Sequence, residues 1–162
     1  MLNRTLAELY KIVDATAGPV TTNGGVTGDY VTLKNAHRAW IVVQLTQAVG
    51  HATALTPKQA SAVAGTGVKN LSVACRIWAN EDTVASDTLV EQTAATSYTV
   101  TNDIKKKIVI FEIDPEDFDV AGGFDVLGLA VADSSQATDF VSATYWLANR
   151  YLQATPPAAI TD

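Results

Sequence analysis

The sequence predicts a mainly β domain, a β-sandwich or β-barrel with an N-terminal helical arm and one or two short helices. Three observations carry this expectation. Runs of β-branched and aromatic residues recur at short spacing, chief among them Ala39-Trp40-Ile41-Val42-Val43-Gln44-Leu45 and Lys106 to Ile113. Clusters of Gly, Asn, Asp and Ser separate those runs. Helical spacing over several turns is confined to the start of the chain.

There, Leu2, Leu6, Leu9 and Val13 would share one face of an amphipathic helix of about three turns. Asn3 or Thr5 supplies a cap, and Gly18-Pro19 ends the helix. Thr21 to Gly28 reads as a polar, Gly-rich linker. Residues 1–27 are therefore expected to be an arm and linker, and residues 28–162 a β-domain with an extended C-terminal tail. Such an arm either folds back to cap the sheet or docks on a neighbouring subunit.

Asp29 to Lys34 alternates polar and apolar residues and predicts a half-buried strand; Asn35-Ala36-His37 turns. The run 39–45 follows as a central strand buried on both faces, with Trp40 in the core. Thr56 as N-cap, Pro57, Gln59 and the stop at Gly65 predict a short helix. Gly65-Thr66-Gly67 is a loop, too sparse in glycine for a phosphate site. Strands are expected at 71–78, in a short piece at 88–90, and at 98–100, 106–113, 124–132 and 140–148. In the last of these, Val141, Ala143, Tyr145 and Leu147 share one face, opposite Phe140, Ser142, Thr144 and Trp146. Asp114 to Asp119 predicts one tight helical turn, with Phe118 as its inward anchor. The tail Thr155-Pro156-Pro157-Ala158-Ala159-Ile160 is extended, either disordered or laid across a neighbour.

At 162 residues and 17.1 kDa the chain suits one domain with a sizeable core. Charged residues are only 17%, against about a quarter in ordinary soluble domains, so small neutral residues must cover the surface. Either much of that surface meets other protein, or the domain is merely Ala-rich. The net charge of -6 repels phosphate backbones and argues against nucleic acid. No apolar run approaches the roughly 18 residues of a membrane span, and no signal peptide is legible. The single cysteine, Cys75, excludes an internal disulfide and reads as a small core residue made in a reducing compartment.

Little in the chain suggests chemistry. Seven carboxylates lie between Asp114 and Asp139, but Pro115 and the missing glycine depart from a calcium loop, so a capped turn and solvated rim are expected. His37 and His51 are the available near-neutral bases; no nucleophile elbow is present, and Cys75 would need one of them across the sheet. Lys105-Lys106-Lys107 reads as protection of a sheet edge. No catalytic, cofactor-binding or metal-ligating residue is assigned, and no cofactor is expected.

Several pieces, in their order, resemble a family of small decoration (cement) proteins from tailed-phage heads. They are Gly28-Asp29-Tyr30-Val31-Thr32-Leu33-Lys34-Asn35, Ile41-Val42-Val43, Gly65-Thr66-Gly67-Val68-Lys69, Ile77-Trp78, Phe118-Asp119-Val120-Ala121-Gly122-Gly123-Phe124-Asp125, and Arg150-Tyr151 with Pro156-Pro157. The resemblance implies a non-enzymatic virion protein, made in the host cytoplasm, that binds the capsid exterior and ties major capsid proteins together. Its implied partners are the major capsid protein and itself, as a trimer rather than a dimer. The expected contact residues are Leu2, Leu6, Leu9 and Tyr10 in the arm and Pro156, Pro157 and Ile160 in the tail. Deleting residues 1–20 should then leave a folded domain that no longer binds capsids. Two rival readings stand beside it. One is a tail-tube or head–tail connector protein. The other is a carbohydrate-binding β-sandwich using Trp40, Trp78 and Trp146, which a core position for Trp40 would oppose.

Overall fold

The computed structural model describes residues 5–151, 155 and 158–160. Two antiparallel sheets pack face to face as a β-sandwich. The larger sheet has the order β1 (Tyr10–Asp14), β13 (Phe140–Asn149), β5 (Ala36–Thr46), β11 (Lys106–Ile113), β8 (Cys75–Asn80), β9 (Val90–Ala95), with β2 (Val20–Thr21) also on β13. The smaller sheet runs β10 (Tyr98–Thr99), β6 (Ala54–Ala60), β12 (Val126–Val131), β3 (Val26–Thr27); β4 (Val31–Thr32) pairs with β12 and β7 (Lys69–Asn70) with β6.

β5 and β13 are the backbone of the larger sheet, in register from Phe140 opposite Thr46 to Ala148 opposite Arg38. Their inward residues Ala39, Ile41, Val43, Leu45, Val141, Ala143, Tyr145 and Leu147 are buried and meet Leu55, Leu127, Leu129 and Val131 from the smaller sheet. The alternation expected in β13 is therefore the one observed. β5 is central, as expected, but it is not buried on both faces. Ala39, Ile41, Val43 and Leu45 are sealed, whereas Trp40 and Val42 are half-exposed and Gln44 is open.

The expected N-terminal helix shrinks to α1 (Leu6–Leu9), a single turn whose Glu8 carboxylate accepts the Thr5 N–H at 2.7 Å. From Tyr10 the chain is extended and pairs with β13 from Tyr10 opposite Ala148 to Asp14 opposite Thr144. A free helix of three turns is marginal in water, and the β-branched pair Ile12-Val13 gains more by completing a sheet. Deleting residues 1–20 would strip β1 and the Thr16 hydroxyl, which accepts the Ala143 N–H, from β13. That deletion is thus expected to lower stability, contrary to the arm picture.

The helix expected at 56–65 is absent. Residues 54–60 form β6, in the middle of the smaller sheet. The Ala54 carbonyl accepts from Ala132 N, so even-numbered residues of β6 bond to β12 and odd-numbered ones face the other way. On that other side β10 pairs only to Leu55 and β7 only from Lys58. Pro57, lacking an N–H, occupies the gap between them, where a sheet tolerates it. The Asp114–Asp119 turn is observed as a 3-10 turn, Pro115–Asp117, with Phe118 buried. Asp114 does not cap it with its side chain but turns to Arg38.

Lys105-Lys106-Lys107 does not guard an edge, because β11 lies between β5 and β8. The Lys107 side chain is wholly buried. It donates to the carbonyl and hydroxyl of Thr101, and its ammonium lies 2.9 Å from Glu81 Oε2. Glu81 also accepts from Tyr98 OH at 2.7 Å and Thr101 Oγ1 at 3.0 Å. Ala159 is buried against its own chain, its carbonyl accepting from Thr32 N. On the outer side of the smaller sheet, Tyr30 lies flat over Gly128, where an added Cβ would enter the ring. Gly128→Val should cost about 1–3 kcal/mol by displacing Tyr30, read as a lowered Tm.

Candidate docking face

The outer face of the larger sheet gathers residues that ordinarily avoid water. Because directly paired residues point the same way, the register fixes the layout. Ile12, Trp146, Trp40, Glu112 and Arg76 form one row across the strands; Asp14, Thr144, Val42, Ile110, Trp78 and Glu91 form the next. Below them run Ser142, Gln44, Ile108 and Asn80.

Tyr10, at the head of β1, leans into this face. Its ring meets Trp40 edge-on at 5.9 Å and Trp146 at 6.2 Å between centroids. Tyr10, Trp40, Val42, Ile110 and Trp146 line an open trough of about 300 Å³. A second depression of about 400 Å³ continues over Ile108 and Ile110 toward Leu89. The Trp146 indole N–H is held by Thr144 Oγ1 at 3.1 Å.

Charged residues flank this trough, with Glu112 the direct cross-strand neighbour of Trp40. Arg38 forks onto Asp114 at 2.7 and 3.2 Å and reaches Glu112 at 2.8 Å. The bond to Asp114 raises the Arg38 pKa further, so the guanidinium stays charged. Arg76 pairs with Glu91 at 3.1 Å and lies 5.7 Å from the Trp78 ring. An apolar, aromatic centre ringed by satisfied charges is the usual anatomy of a protein-binding patch.

Of the residues expected to make contacts, Tyr10 alone belongs to this face. Leu6 is exposed on α1, Leu9 is half-buried beside it, and Ile160 is exposed near Ala159. Leu2, Pro156 and Pro157 lie outside the described residues. Trp146 lies on the face expected of it, opposite the core residues of β13, whereas the exposure of Trp40, Val42 and Ile110 is not what the sequence predicts. A run apolar at every position, such as 39–45, hides which of its two faces meets solvent. The objection to a three-tryptophan platform falls, since Trp40 is not core and Trp40, Trp78 and Trp146 share this one face.

Elsewhere most polar groups pair within the fold, while among the described residues Gln47 Oε1, His51 Nδ1 and Asp139 Oδ2 are buried without a hydrogen-bond partner. Asp119 pairs with Lys69 and accepts from Gly122 N, and both hold its carboxyl below the usual range. Asp133 accepts from Ser135 N and Gly24 N, and Asp139 from Ala48 N and Val49 N. Among the described residues no three His, Cys, Asp or Glu side chains are placed to share a metal ion. A polar hollow of about 340 Å³ at one end is lined by His37, Arg38, Asp114, Pro115, Glu116 and Arg150, a set without Ser, Thr or Cys. Cys75 is buried and donates to the Ala95 carbonyl, and burial pushes its thiol up to about 11. A thiol reagent at neutral pH should leave native Cys75 unmodified and label it only on denaturation.

No helix among the described residues is long and apolar enough to cross a membrane. No family model matches the chain, and no curated protein matches it significantly.

Proposed function

We propose that this chain is a structural protein of a tailed-phage head, a decoration protein that joins the assembled shell and strengthens contacts between major capsid proteins. The outer face of the larger sheet supports this reading most strongly. It offers aromatic anchors, an uncharged centre and a rim of paired charges, which is equipment for contact with protein rather than for turnover. The resemblance of the sequence to head decoration proteins supplies the assembly; the face supplies the means. The test is co-sedimentation of the purified chain with empty heads of the virus that encodes it. Saturable binding at a fixed ratio to the major capsid protein is expected, and failure to sediment with heads would overturn the assignment.

A second reading, a carbohydrate-binding module, is favoured by one observation: the three tryptophans share the exposed face. Sugar rings stacking on Trp40 or Trp146 should shift and quench the indole emission. On the decoration reading, titration with soluble oligosaccharides leaves the emission unchanged.

A further inference from the structure

The fold leaves three buried polar atoms over: Gln47 Oε1, His51 Nδ1 and Asp139 Oδ2 have no hydrogen-bond partner among the described residues. We propose that they are the donors of a metal site, which takes one divalent cation of the first transition row, of the Mn²⁺ kind, at the end of the sandwich where the chain crosses between the sheets.

Placement is the first argument. Two loops make that crossing side by side: residues 47–53 run from β5 to β6, and residues 132–139 return from β12 to β13. They share one end because Thr46 is opposite Phe140 in the larger sheet and Leu55 opposite Val131 in the smaller. Leu45 and Val141 face the core, so Gln47 and Asp139, each two residues away, turn inward as well; they are 4% and 1% exposed. Asp139 Oδ1 accepts from Ala48 N and Val49 N, which fastens one loop to the other. The Gln47 amide donates to the His51 carbonyl and closes the first loop. The His51 ring stands near Asp133 on the second: besides the N–H groups of Ser135 and Gly24, charge on His51 lowers that carboxyl.

Donor type is the second. Gln47 cannot turn its amide over, since Oε1 would then face the His51 carbonyl, so its free atom is an acceptor. An ionised carboxylate only accepts, and Asp139 Oδ2 is an acceptor too. With its proton on Nε2, His51 offers a lone pair at Nδ1. Acceptors cannot satisfy one another. Two oxygens and an imidazole nitrogen fall between the oxygen sites of Mg²⁺ and Ca²⁺ and the nitrogen sites of Zn²⁺ and Ni²⁺, which is where Mn²⁺ fits. One of the three donors is an amide, so the set agrees with the absence of a threefold His, Cys, Asp and Glu group among the described residues.

Charge is the third. Asp139 is sealed from solvent, and no Lys, Arg or His is ion-paired with it among the described residues. Buried charges are ordinarily paired or bound to metal. A water molecule would meet the lone pairs and leave the charge unanswered; a divalent ion answers both. A protonated His51 would serve only by aiming its Nδ1–H at Asp139 Oδ2, and neither atom is bonded. Held by these three residues, the ion ties the end of β5 to the starts of β6 and β13.

The experiment is a Mn²⁺ titration of the full chain after dialysis against EDTA, followed by the electron paramagnetic resonance signal of the free ion and by Tm. One ion per chain should be taken up, and Tm should rise by about 5–10 °C at a hundredfold excess over Kd. In Asp139→Asn the new amide can keep its oxygen on Ala48 N and Val49 N and turn an N–H toward Gln47 Oε1. That variant should fold without metal, take up none and show a Tm indifferent to Mn²⁺. His51→Ala should bind about tenfold more weakly or worse. Circular dichroism checks the folding of both. An unchanged free-ion signal and Tm at millimolar Mn²⁺ mean that water alone fills the space, and overturn the proposal. Uptake that persists undiminished in either variant overturns it too.

Discussion

Replacing Glu81 with alanine is expected to lower stability by about 3 kcal/mol, seen as an earlier urea midpoint with an unchanged slope. The Lys107 side chain has no exposure, and Glu81 supplies its counter-charge at 2.9 Å. Without that carboxylate an ammonium sits uncompensated in the interior, and the Tyr98 and Thr101 hydroxyls lose their acceptor. The Glu81 side chain retains 25% exposure, so water softens the loss and the figure sits at the low end of the usual 3–5 kcal/mol. The pair is costly to break rather than valuable to have. Lys107→Met combined with Glu81→Leu should therefore lose less than Glu81→Ala alone. An unchanged midpoint for Glu81→Ala would show that the network contributes nothing.

Tyr145→Ala is expected to cost about 3–5 kcal/mol, since the ring is fully buried where the sheets meet. Tyr145→Phe isolates the hydroxyl, which donates to the Asp29 carbonyl at 2.7 Å; leaving that carbonyl bare should cost about 1–2 kcal/mol. The same burial raises the Tyr145 phenol above its ordinary value of 10.0, and burial with the Glu81 hydrogen bond raises Tyr98 likewise. A raised folded-state value means the contribution is whole below pH 10 and drains away as pH climbs past it toward the folded-state values. Near-ultraviolet titration should show Tyr98 and Tyr145 ionising only as the protein unfolds. Ionisation of both at ordinary values in the folded state would contradict the burial described.

Particular residues show what was legible in advance. The two faces of β13 were readable because Ser142 and Thr144 alternate with apolar residues, and period-two contrast is a local property. β5 was readable as central from its β-branched density, but not as one-sided, because which flank of Trp40 meets water depends on strands far away in sequence. Thr56-Pro57-Lys58-Gln59 carries good helix-start chemistry, yet pairing with β12 outweighs it, and Pro57 survives only because its neighbours on one side stop short. Lys107 looked like surface because a buried lysine is recognisable only with its partner, and Glu81 lies on another turn. The docking face was illegible for the same reason: Tyr10, Trp40 and Trp146 meet only after two strands from the first third of the chain come together with β13, about a hundred residues further on.

The pairing of β5 with β13 also governs when this protein can fold. About a hundred residues separate the two strands, and β1 cannot dock until β13 is in place. A ribosome must therefore release the chain through Asn149 before the larger sheet can close, and until then the edge of β5 that β13 covers stays open to other nascent chains. Folding dominated by such distant pairings should be slow, on the order of milliseconds to seconds, with early translation arrest leaving aggregation-prone fragments rather than partial domains.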